Sequence, residues 1–316
     1  MKQRNPTVGA VFAITGALLF GINASTSKLI IAAGFSASEV VLFRSFATSL
    51  FAFIAVALNY RTGLRIKPRE WPRMLAFGVF GVALMQWAYS QAVANLAVGI
   101  ALLIEYTAIV WVPLTTWLLH RRGAGRLTWI GVGFVLTGLI IVSGLLNSQT
   151  IDPLGALYAF LAAAFLTYYF IAGKNILRDR DTMSTLAYSM LVSSAFWGIA
   201  SGWWVHEGPI SESVALLGKD APTVPIWAAM IWLAVMGSFV PMWLSYRAMH
   251  HLSSTAAGIA STSETVFAFG FGFIILGETF SFTQIIGGAL VLFGILTAQL
   301  AERNQSSKEV KADVHN

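Results

Sequence analysis

The stretch that decides the fold is Val98-Gly99-Ile100-Ala101-Leu102-Leu103-Ile104-Glu105. Its pattern recurs in the second half of the chain as Ala257-Gly258-Ile259-Ala260-Ser261-Thr262-Ser263-Glu264, with the glutamate at the same place. Both stretches lie in long apolar segments, where an ionisable side chain is costly to keep. Matching glutamates in two apolar segments therefore indicate an internal repeat and mark these residues as candidates for function.

Two more pairs of segments repeat in the same order along the chain. Each half contains two glycines seven residues apart, and each contains a Gly-Ala pair followed by a lysine at the same distance. One match could arise by chance, whereas three in the same order indicate two related halves. The matching positions are Gly131 and Gly138 with Gly287 and Gly294, and Gly9-Ala10 and Lys28 with Gly155-Ala156 and Lys174.

The composition is that of a chain whose solvent is largely lipid. Of its 316 residues, 57% are hydrophobic and only 11% are charged, and the mean hydropathy is +0.72. A soluble domain carries about 25% charged residues and needs polar side chains to cover its surface. No cysteine occurs, which excludes disulfides, thiolate metal sites and cysteine nucleophiles.

Ten stretches are long and apolar enough to be transmembrane helices, each of which needs about 20 mostly apolar residues. Helix-start signals support this division. Asp152-Pro153 is typical of an N-cap followed by proline, and Ser36-x-x-Glu39 is typical of a capping box. The predicted stretches are 8–33, 39–58, 74–93, 97–119, 127–146, 153–174, 183–204, 226–248, 254–276 and 282–300.

The basic residues predict which side of the membrane each loop faces, because Lys and Arg are retained on the cytoplasmic side. With the N-terminus inside, seventeen of the twenty Lys and Arg residues fall on the cytoplasmic side and one, Lys219, falls in an outer loop. The other two, Lys28 and Arg44, lie inside predicted spans. Topology therefore explains the net charge of +6, and nucleic-acid binding is disfavoured.

We predict an all-α integral membrane protein of ten transmembrane helices with cytoplasmic N- and C-termini. Because each half holds five spans, an odd number, the second half enters the membrane from the opposite face. The halves then form inverted repeats, as in many secondary transporters. The predicted units are a first five-helix repeat at 1–150, a second, inverted repeat at 151–301 and a disordered cytoplasmic tail at 302–316.

Three stretches of the second half carry a resemblance to known proteins: Ser263-Glu264-Thr265-Val266-Phe267-Ala268, Leu276-Gly277-Glu278-Thr279 and Gly287-Gly288-Ala289-Leu290. With these stretches the chain resembles the drug/metabolite transporter superfamily, in its EamA-type branch of ten-helix bacterial carriers. The resemblance covers nearly the whole chain and implies a carrier of small metabolites. The family often has proline directly after the membrane glutamate, where this chain has Thr265.

The first half carries a narrower resemblance in Val98-Gly99-Ile100-Ala101-Leu102-Leu103-Ile104-Glu105-Tyr106-Thr107-Ala108, Ser25-Thr26-Ser27-Lys28-Leu29, Gly34 and Arg44. These residues are similar to the threonine/homoserine exporter group of that branch. Members of this group are proton-coupled amino-acid exporters, so the resemblance implies amino-acid export here.

Glu105 and Glu264 are the main candidates for chemistry, because each lies near the middle of its predicted span. Our hypothesis is that both face one aqueous cavity, where they bind a substrate ammonium group and exchange coupling protons. The alternative is a protonated glutamate that makes one hydrogen bond between helices. Ionisable groups in membranes are often, but not always, functional.

Arg44 and Lys28 are candidates for holding a substrate carboxylate, with Arg44 favoured because a guanidinium can donate two parallel hydrogen bonds. The alternatives are a structural pair for Arg44 and, for Lys28, contact with the lipid headgroups. Asn23 and Tyr89 are further candidates for the cavity wall, where they would orient a zwitterion. Two other polar residues in the third span are ambiguous: Gln86 and Gln91.

We predict a secondary active transporter that exports small metabolites, amino acids foremost, by proton-coupled alternating access. The alternatives are an exporter of cationic drugs with the same fold and, less favoured, a passive channel. An enzyme is disfavoured because the His-Glu-x-x-His and Gly-x-Ser-x-Gly motifs are absent from the sequence. No cofactor or metal is expected, since the adjacent His250 and His251 would point apart on a helix.

The expected partners are a small-molecule substrate, the lipid bilayer and protons as the coupling ion. The glycines of the fifth and tenth spans have a spacing that suits close helix packing. Packing within the chain is the favoured interpretation, and a homodimer surface is the weaker one. The expected location is the inner membrane of a bacterial cell, as a multi-pass protein.

Overall fold

The computed structural model describes residues 5–59, 65–96, 98–120, 125–142, 152–205, 213–215, 223–276 and 282–314. This part of the chain is almost entirely helical. Its sheet is one antiparallel ribbon, in which β1, Ser213–Ala215, pairs with β2, Thr223–Pro225. Lys219 and the motif residues Gly277, Glu278 and Thr279 lie outside the described residues.

Six helices form the described part of the first half. The third, α3, covers 71–95 and contains a π-helical turn, Phe77–Ala83, between the α-helical parts Trp71–Ala76 and Leu84–Asn95. A short 3-10 helix, Pro68–Glu70, precedes it. The others are α1 Pro6–Ala32, α2 Ala37–Asn59, α4 Val98–Glu105, α5 Ala108–His120 and α6 Arg126–Val142.

The described part of the second half has the same order of elements. The helix α9 covers 226–251 and contains a π-helical turn, Val235–Phe239, between Ile226–Ala234 and Val240–His251. A 3-10 turn, Trp203–Val205, precedes the ribbon. The others are α7 Pro153–Asp179, α8 Thr182–Ala200, α10 Ser254–Ser261, α11 Ser263–Leu276 and α12 Phe282–Val314.

The described part of each predicted stretch is mostly helical, and the stretches 97–119 and 254–276 are each interrupted by a turn. The described apolar helices that are shorter than a full span are Ala108–Leu118, Arg126–Ile141 and Ile285–Ala298. That all ten stretches cross the membrane stays a prediction. The five described helices that are long and apolar enough to cross by themselves are Pro6–Asn23, Ala37–Leu58, Pro153–Asp179, Thr182–Ala200 and Ile226–His251.

The last helix is longer than its apolar part. The structure describes residues 302–314 as a continuation of α12, whereas the sequence predicts a disordered tail there. Glu, Gln, Lys and Ala are good helix formers, and extending an existing helix costs far less than starting one.

Two predicted helix starts are confirmed by hydrogen bonds. Asp152 accepts from the backbone N–H of Leu154 at 2.8 Å, at the start of α7. At the start of α2, the backbone N–H of Ser36 donates to Glu39 Oε2 at 2.7 Å, and the N–H of Glu39 donates to Ser36 Oγ at 3.2 Å. The carboxylate of Glu39 is therefore part of a capping box.

The two halves interlock. The first helix of the chain, α1, packs against α9, α10 and α11 of the second half, and α7, the first helix of that half, packs against α3, α4 and α5. Matching glycines lie at these crossings: a Cβ on Gly9 would lie 2.7 Å from Leu252 Cγ, and a Cβ on Gly155 would lie 2.7 Å from Leu96 Cγ. The core is therefore shared, and neither half packs as a separate unit.

Close glycine contacts also join α6 to α12. A Cβ on Gly131 would lie 2.8 Å from the carbonyl oxygen of Gly294, and a Cβ on Gly138 would lie 2.6 Å from that of Gly287. Glycine lets the two backbones approach each other, which favours helix association in membranes. These four glycines pack within the chain, as the favoured interpretation of their spacing predicts.

Replacing Gly138 with alanine should destabilise the fold, because the new Cβ would meet a backbone carbonyl that cannot move away like a flexible side chain. Overpacking of this kind costs about 1–3 kcal/mol. Thermal unfolding of the purified protein in detergent would measure the loss. Gly133→Ala is the matched control: it lies on the same helix, and its Cβ would meet nothing within 4 Å among the described residues. Equal unfolding temperatures for the two variants would contradict the close α6–α12 contact.

Candidate functional site

Each of the two matching glutamates lies beside a helix break. The helix α4 ends at Glu105, and α5 begins after a turn at Tyr106 and Thr107. In the second half a single residue separates the end of α10 from the start of α11, and Glu264 is the second residue of α11. Broken helices are tolerated at membrane depth only where they are buried in protein or line a water-filled cavity.

Threonine side chains stabilise both breaks, and proline occurs at neither. The hydroxyl of Thr107 donates to the carbonyl oxygen of Ile104 at 2.7 Å, and that of Thr262 donates to the carbonyl oxygen of Ile259 at 2.6 Å. A hydroxyl that bonds to a nearby carbonyl competes with the helical backbone bond. The chain thus interrupts its helices without the proline that the family often has after the glutamate.

The π-helical turns of α3 and α9 occur at corresponding places in the two halves. They contain Gly81 and Gly237, respectively. In α9, the carbonyl oxygens of Met236 and Gly237 accept hydrogen bonds from Asn23 at 2.8 Å and from Arg44 at 2.7 Å. A π-turn is frequent at functional sites, and here it offers acceptors to side chains of the other half.

A cavity of about 80 Å³ lies between the halves. A cavity of about 10–15 Å³ already admits one water molecule, so this cavity has room for a few waters or one compact polar molecule. Its wall combines polar groups with aromatic and aliphatic side chains. The polar lining is Asn23, Ser27, Arg44, Gln86, Tyr89, Glu105, Tyr106, Tyr169, Ser245, Ser261 and Glu264, and the apolar lining is Phe20, Met85, Leu166, Phe170 and Met242.

Both candidate glutamates face this cavity, as the sequence hypothesis expects. Glu264 Oε2 accepts a hydrogen bond from the hydroxyl of Tyr106 at 2.7 Å. Glu105 is only 7% exposed, and no hydrogen bond or ion pair to its carboxyl group comes from the described residues. The repeat therefore brings both carboxyl groups to one place but gives them different surroundings.

Arg44 lies in the same wall and is only 6% exposed. Its Nη2 donates to the carbonyl oxygen of Gly237 at 2.7 Å, while its Nε has no hydrogen-bond partner within the described ranges. Arg44 and Glu264 line the same cavity, and the described residues show no salt bridge between them. Arg44 is thus anchored at one nitrogen and has a donor left for a ligand.

Three more polar side chains of the wall have unused hydrogen-bonding atoms. Asn23 donates to the carbonyl oxygens of Leu19 and Met236, but its Oδ1 has no partner in the described structure. The hydroxyl of Tyr89 and both amide atoms of Gln86 are also buried and unpaired there. Buried polar atoms are normally satisfied by protein or by water. These atoms are consistent with a cavity that holds water or a ligand.

The structure thus settles the placement of two ambiguous residues. Gln86 belongs to the cavity wall, whereas Gln91 does not line it.

Sequence reasoning missed Tyr106, Tyr169 and Ser245. Tyr169 donates to Ser245 Oγ at 2.9 Å across the cavity wall. The repeat contains a signal for Tyr169. The interval that separates Gly9 from Gly155 also separates Asn23 from Tyr169, so Tyr169 is the counterpart of Asn23 in the second half. Tyr106 directly follows the first glutamate, and that position in the sequence could have marked it as a candidate for the cavity wall.

Lys174, the matching lysine of the second half, does not line this cavity. Lys28 is a residue of α1, but its side chain is not among the described ones, so its predicted contact with a substrate stays a prediction. Lys174 donates to the carbonyl oxygens of Met249 and Leu252, at the end of α9. Basic side chains commonly satisfy the last carbonyls of a helix in this way.

One of the adjacent histidines, His251, takes part in packing at the end of α9. His251 Nδ1 accepts from the backbone N–H of Asn5 at 3.3 Å, and its ring lies 6.1 Å from that of Phe12.

Comparison with known proteins gives consistent relatives. The EamA-like transporter family matches residues 7–144 and again residues 153–298. The pseudopaline exporter CntI of Pseudomonas aeruginosa is 23% identical over 289 residues, which cover 90% of this chain and 93% of that protein. The uncharacterized transporter YwfM of Bacillus subtilis is 21% identical, over 78% of this chain and 79% of its own length.

A solved crystal structure has the same fold. It covers 95% of this chain and 99% of its own, with a TM-score of 0.73 and 17% identity. An uncharacterized transporter of Archaeoglobus fulgidus is 21% identical over 79% of this chain and 83% of that protein. These relatives support the superfamily resemblance seen in the sequence and not specifically the threonine/homoserine group. Because the family matches almost the whole chain, in two adjoining segments, the chain belongs to the EamA-like transporter family, whose members are membrane transporters and not enzymes.

Proposed function

We propose that this chain exports small zwitterionic metabolites, amino acids of the threonine and homoserine kind foremost, across the bacterial inner membrane in exchange for protons. The observation that carries the proposal is the meeting of Glu105, Glu264 and Arg44 at one cavity between the halves. Acidic groups there suit an ammonium group and the arginine suits a carboxylate. An α-amino acid presents both charges on one small molecule.

The proposed topology has ten crossing helices and cytoplasmic termini. Five spans in each half make the repeats, 1–150 and 151–301, inverted with respect to each other. The double match of the family supports this division. The paired crossings at Gly9 and Gly155 support it as well, because each half packs its first helix against the end of the other half's third span.

Inverted repeats suit alternating access, since each half can take over the arrangement of the other. The cavity wall supports this view: Phe20 and Asn23 of α1 occupy the positions that Leu166 and Tyr169 occupy in α7, and all four line the cavity. We infer that the site opens to one side of the membrane at a time, by movement of α1 and α7 against the broken helices of the opposite half.

In the proposed complex the substrate ammonium lies between the two glutamates and its carboxylate faces Arg44. The guanidinium already uses Nη2 for Gly237, so Nε and the remaining N–H groups would bind the carboxylate. Asn23, Gln86 and Tyr89 offer free polar atoms for a hydroxyl on the substrate side chain. The cavity volume of about 80 Å³ favours a compact substrate.

Export of cationic compounds without a carboxylate is the second candidate. Two acidic residues face one arginine in the wall, and the aromatic side chains of Phe20, Tyr89 and Phe170 could also hold a cation. A zwitterion uses Arg44 as well as the acids, so the two candidates differ in whether Arg44 matters for binding.

Neutralising either glutamate should abolish efflux driven by a pH gradient. Proteoliposomes loaded with threonine and homoserine would be tested with wild type, Glu105→Gln and Glu264→Gln. Glutamine keeps the size and hydrogen-bonding atoms but has no negative charge and no exchangeable acid proton. Glu39→Gln is the control, because its residue belongs to the capping box of α2 and not to the cavity. Full efflux by both cavity variants would support purely structural glutamates instead.

Replacing Arg44 with glutamine should weaken binding of amino acids by about 10- to 100-fold, since a hydrogen bond to a charged group contributes about 1.5–3 kcal/mol. The matching amines, which have the same skeleton without the carboxylate, should bind with nearly unchanged affinity. The measurement is competition of each compound with labelled substrate. Equal losses for the acid and the amine would contradict carboxylate recognition and leave Arg44 as a structural link to Gly237.

A further inference from the structure

The two glutamates occupy matching positions but differ in their neighbours. Glu264 accepts a hydrogen bond at 2.7 Å from Tyr106 of the other half. Glu105 has no hydrogen bond or ion pair from the described residues, and the other carboxyl group that lines its cavity is that of Glu264. Equivalent positions of the two halves therefore hold carboxyl groups with different neighbours.

The cause of the difference is the residue after each glutamate. Tyr106 follows Glu105, is buried, and reaches across the cavity to Glu264. The residue after Glu264 is Thr265, whose buried Oγ1 has no partner in the part of the chain that the structure describes. Thr265 thus does not give Glu105 the contact that Tyr106 gives Glu264.

We propose that Tyr106 is a positioning residue that, together with Arg44, fixes Glu264 as a permanent counter-charge for the substrate ammonium, and that Glu105 alone exchanges the coupling proton. This inference rests on the proposed function. A buried charge is stable only when a cation or several donors compensate it. Glu264 has a donor in Tyr106 and a cation, Arg44, in the same cavity wall whether or not substrate is bound, whereas Glu105 obtains its donor only from the substrate.

The exchange can be written with all atoms and charges accounted for. When the site faces the cytoplasm, a substrate ammonium binds, and Glu105 releases its proton to water in the cavity. When the site faces outward, a proton from outside binds to the Glu105 carboxylate, and the ammonium leaves. One proton enters for each substrate exported, and Glu264 stays ionised throughout.

The other ionisable side chains that line this cavity come from several elements. Glu264 belongs to α11, Tyr106 to the turn after α4, Tyr89 to α3, Tyr169 to α7 and Arg44 to α2. Arg44 donates to the carbonyl oxygen of Gly237, and it makes no salt bridge to Glu105 within the described residues. The substrate ammonium is therefore the cation that this arrangement leaves for Glu105.

The main experiment compares two activities of proteoliposomes that contain threonine. Proton movement is followed with a pH-sensitive dye, and exchange of labelled for unlabelled threonine is followed with no pH gradient. Wild type should move one proton per threonine. Glu105→Gln should lose proton movement and retain measurable exchange, whereas Glu264→Gln should lose both activities. Two protons per threonine, or the opposite pattern in the variants, would overturn the assignment.

Tyr106→Phe tests the positioning role, because it removes only the hydroxyl. It should raise the KM for threonine exchange by about 10-fold, the effect of one hydrogen bond to a charged group. The maximal rate and the ratio of protons to threonine should change little. Thr265→Val is the matched control, since it removes the hydroxyl at the equivalent position of the other half, and its KM should stay within about twofold of wild type. Equal KM values for the two variants would show that Tyr106 does not position Glu264.

A further measurement needs no substrate, so it separates this inference from the identity of the cargo. The infrared band of protonated carboxyl groups would be recorded from the purified protein in lipid as the pH is stepped. The band should disappear in Glu105→Gln and persist in Glu264→Gln. If wild type moves no amino acid but this pattern holds, the proposed substrate is wrong and the division of roles stands. If the band persists in Glu105→Gln, the division of roles is wrong whatever the cargo is.

Discussion

An unsatisfied polar group costs several kcal/mol in hydrocarbon, and the rest of this structure depends on how that cost is avoided. Glu105, Glu264 and Arg44 would be expensive on a helix that faces lipid. The interlocking of the halves removes them from lipid, because α1 packs against α9, α10 and α11 while α7 packs against α3, α4 and α5. The helix breaks beside the glutamates are tolerated for the same reason. One cavity thus accounts for the charges and for the irregular backbone.

The repeat gives both halves the same arrangement of helices, and side-chain differences between the halves supply the chemistry. Asn23 in one half and Tyr169 in the other occupy equivalent positions, and the first and second glutamates are followed by a buried tyrosine and a threonine, respectively. Only one of these last two, Tyr106, reaches a carboxylate. A perfectly symmetric site would give both glutamates the same task. Small side-chain differences instead allow one carboxyl group to hold charge while the other exchanges a proton.

The sequence predicted the helices and the glutamate pair well, because both depend on patterns that survive in a single chain. Apolar stretches indicate the helices, and the repeated motif places Glu105 and Glu264 at equivalent depths. It could not predict the breaks, since threonine hydroxyls at Thr107 and Thr262 stabilise them where proline would have been an obvious signal. The contact of Tyr106 with Glu264 was also beyond reach. It joins residues 158 positions apart and depends on how the two halves interlock.

The proposed roles have a consequence for the energy source of export. With Glu105 protonated and Glu264 paired in charge with Arg44, the empty site carries no net charge. A zwitterion adds none, but its binding releases the Glu105 proton, so the loaded site carries one negative charge. A membrane potential that is negative inside then favours outward movement of the loaded site, by about 2.3 kcal/mol per 100 mV for a full crossing. A simple cation would cancel that charge and lose this assistance. The single arginine therefore does more than select a carboxylate, since it makes export of a zwitterion respond to voltage as well as to pH.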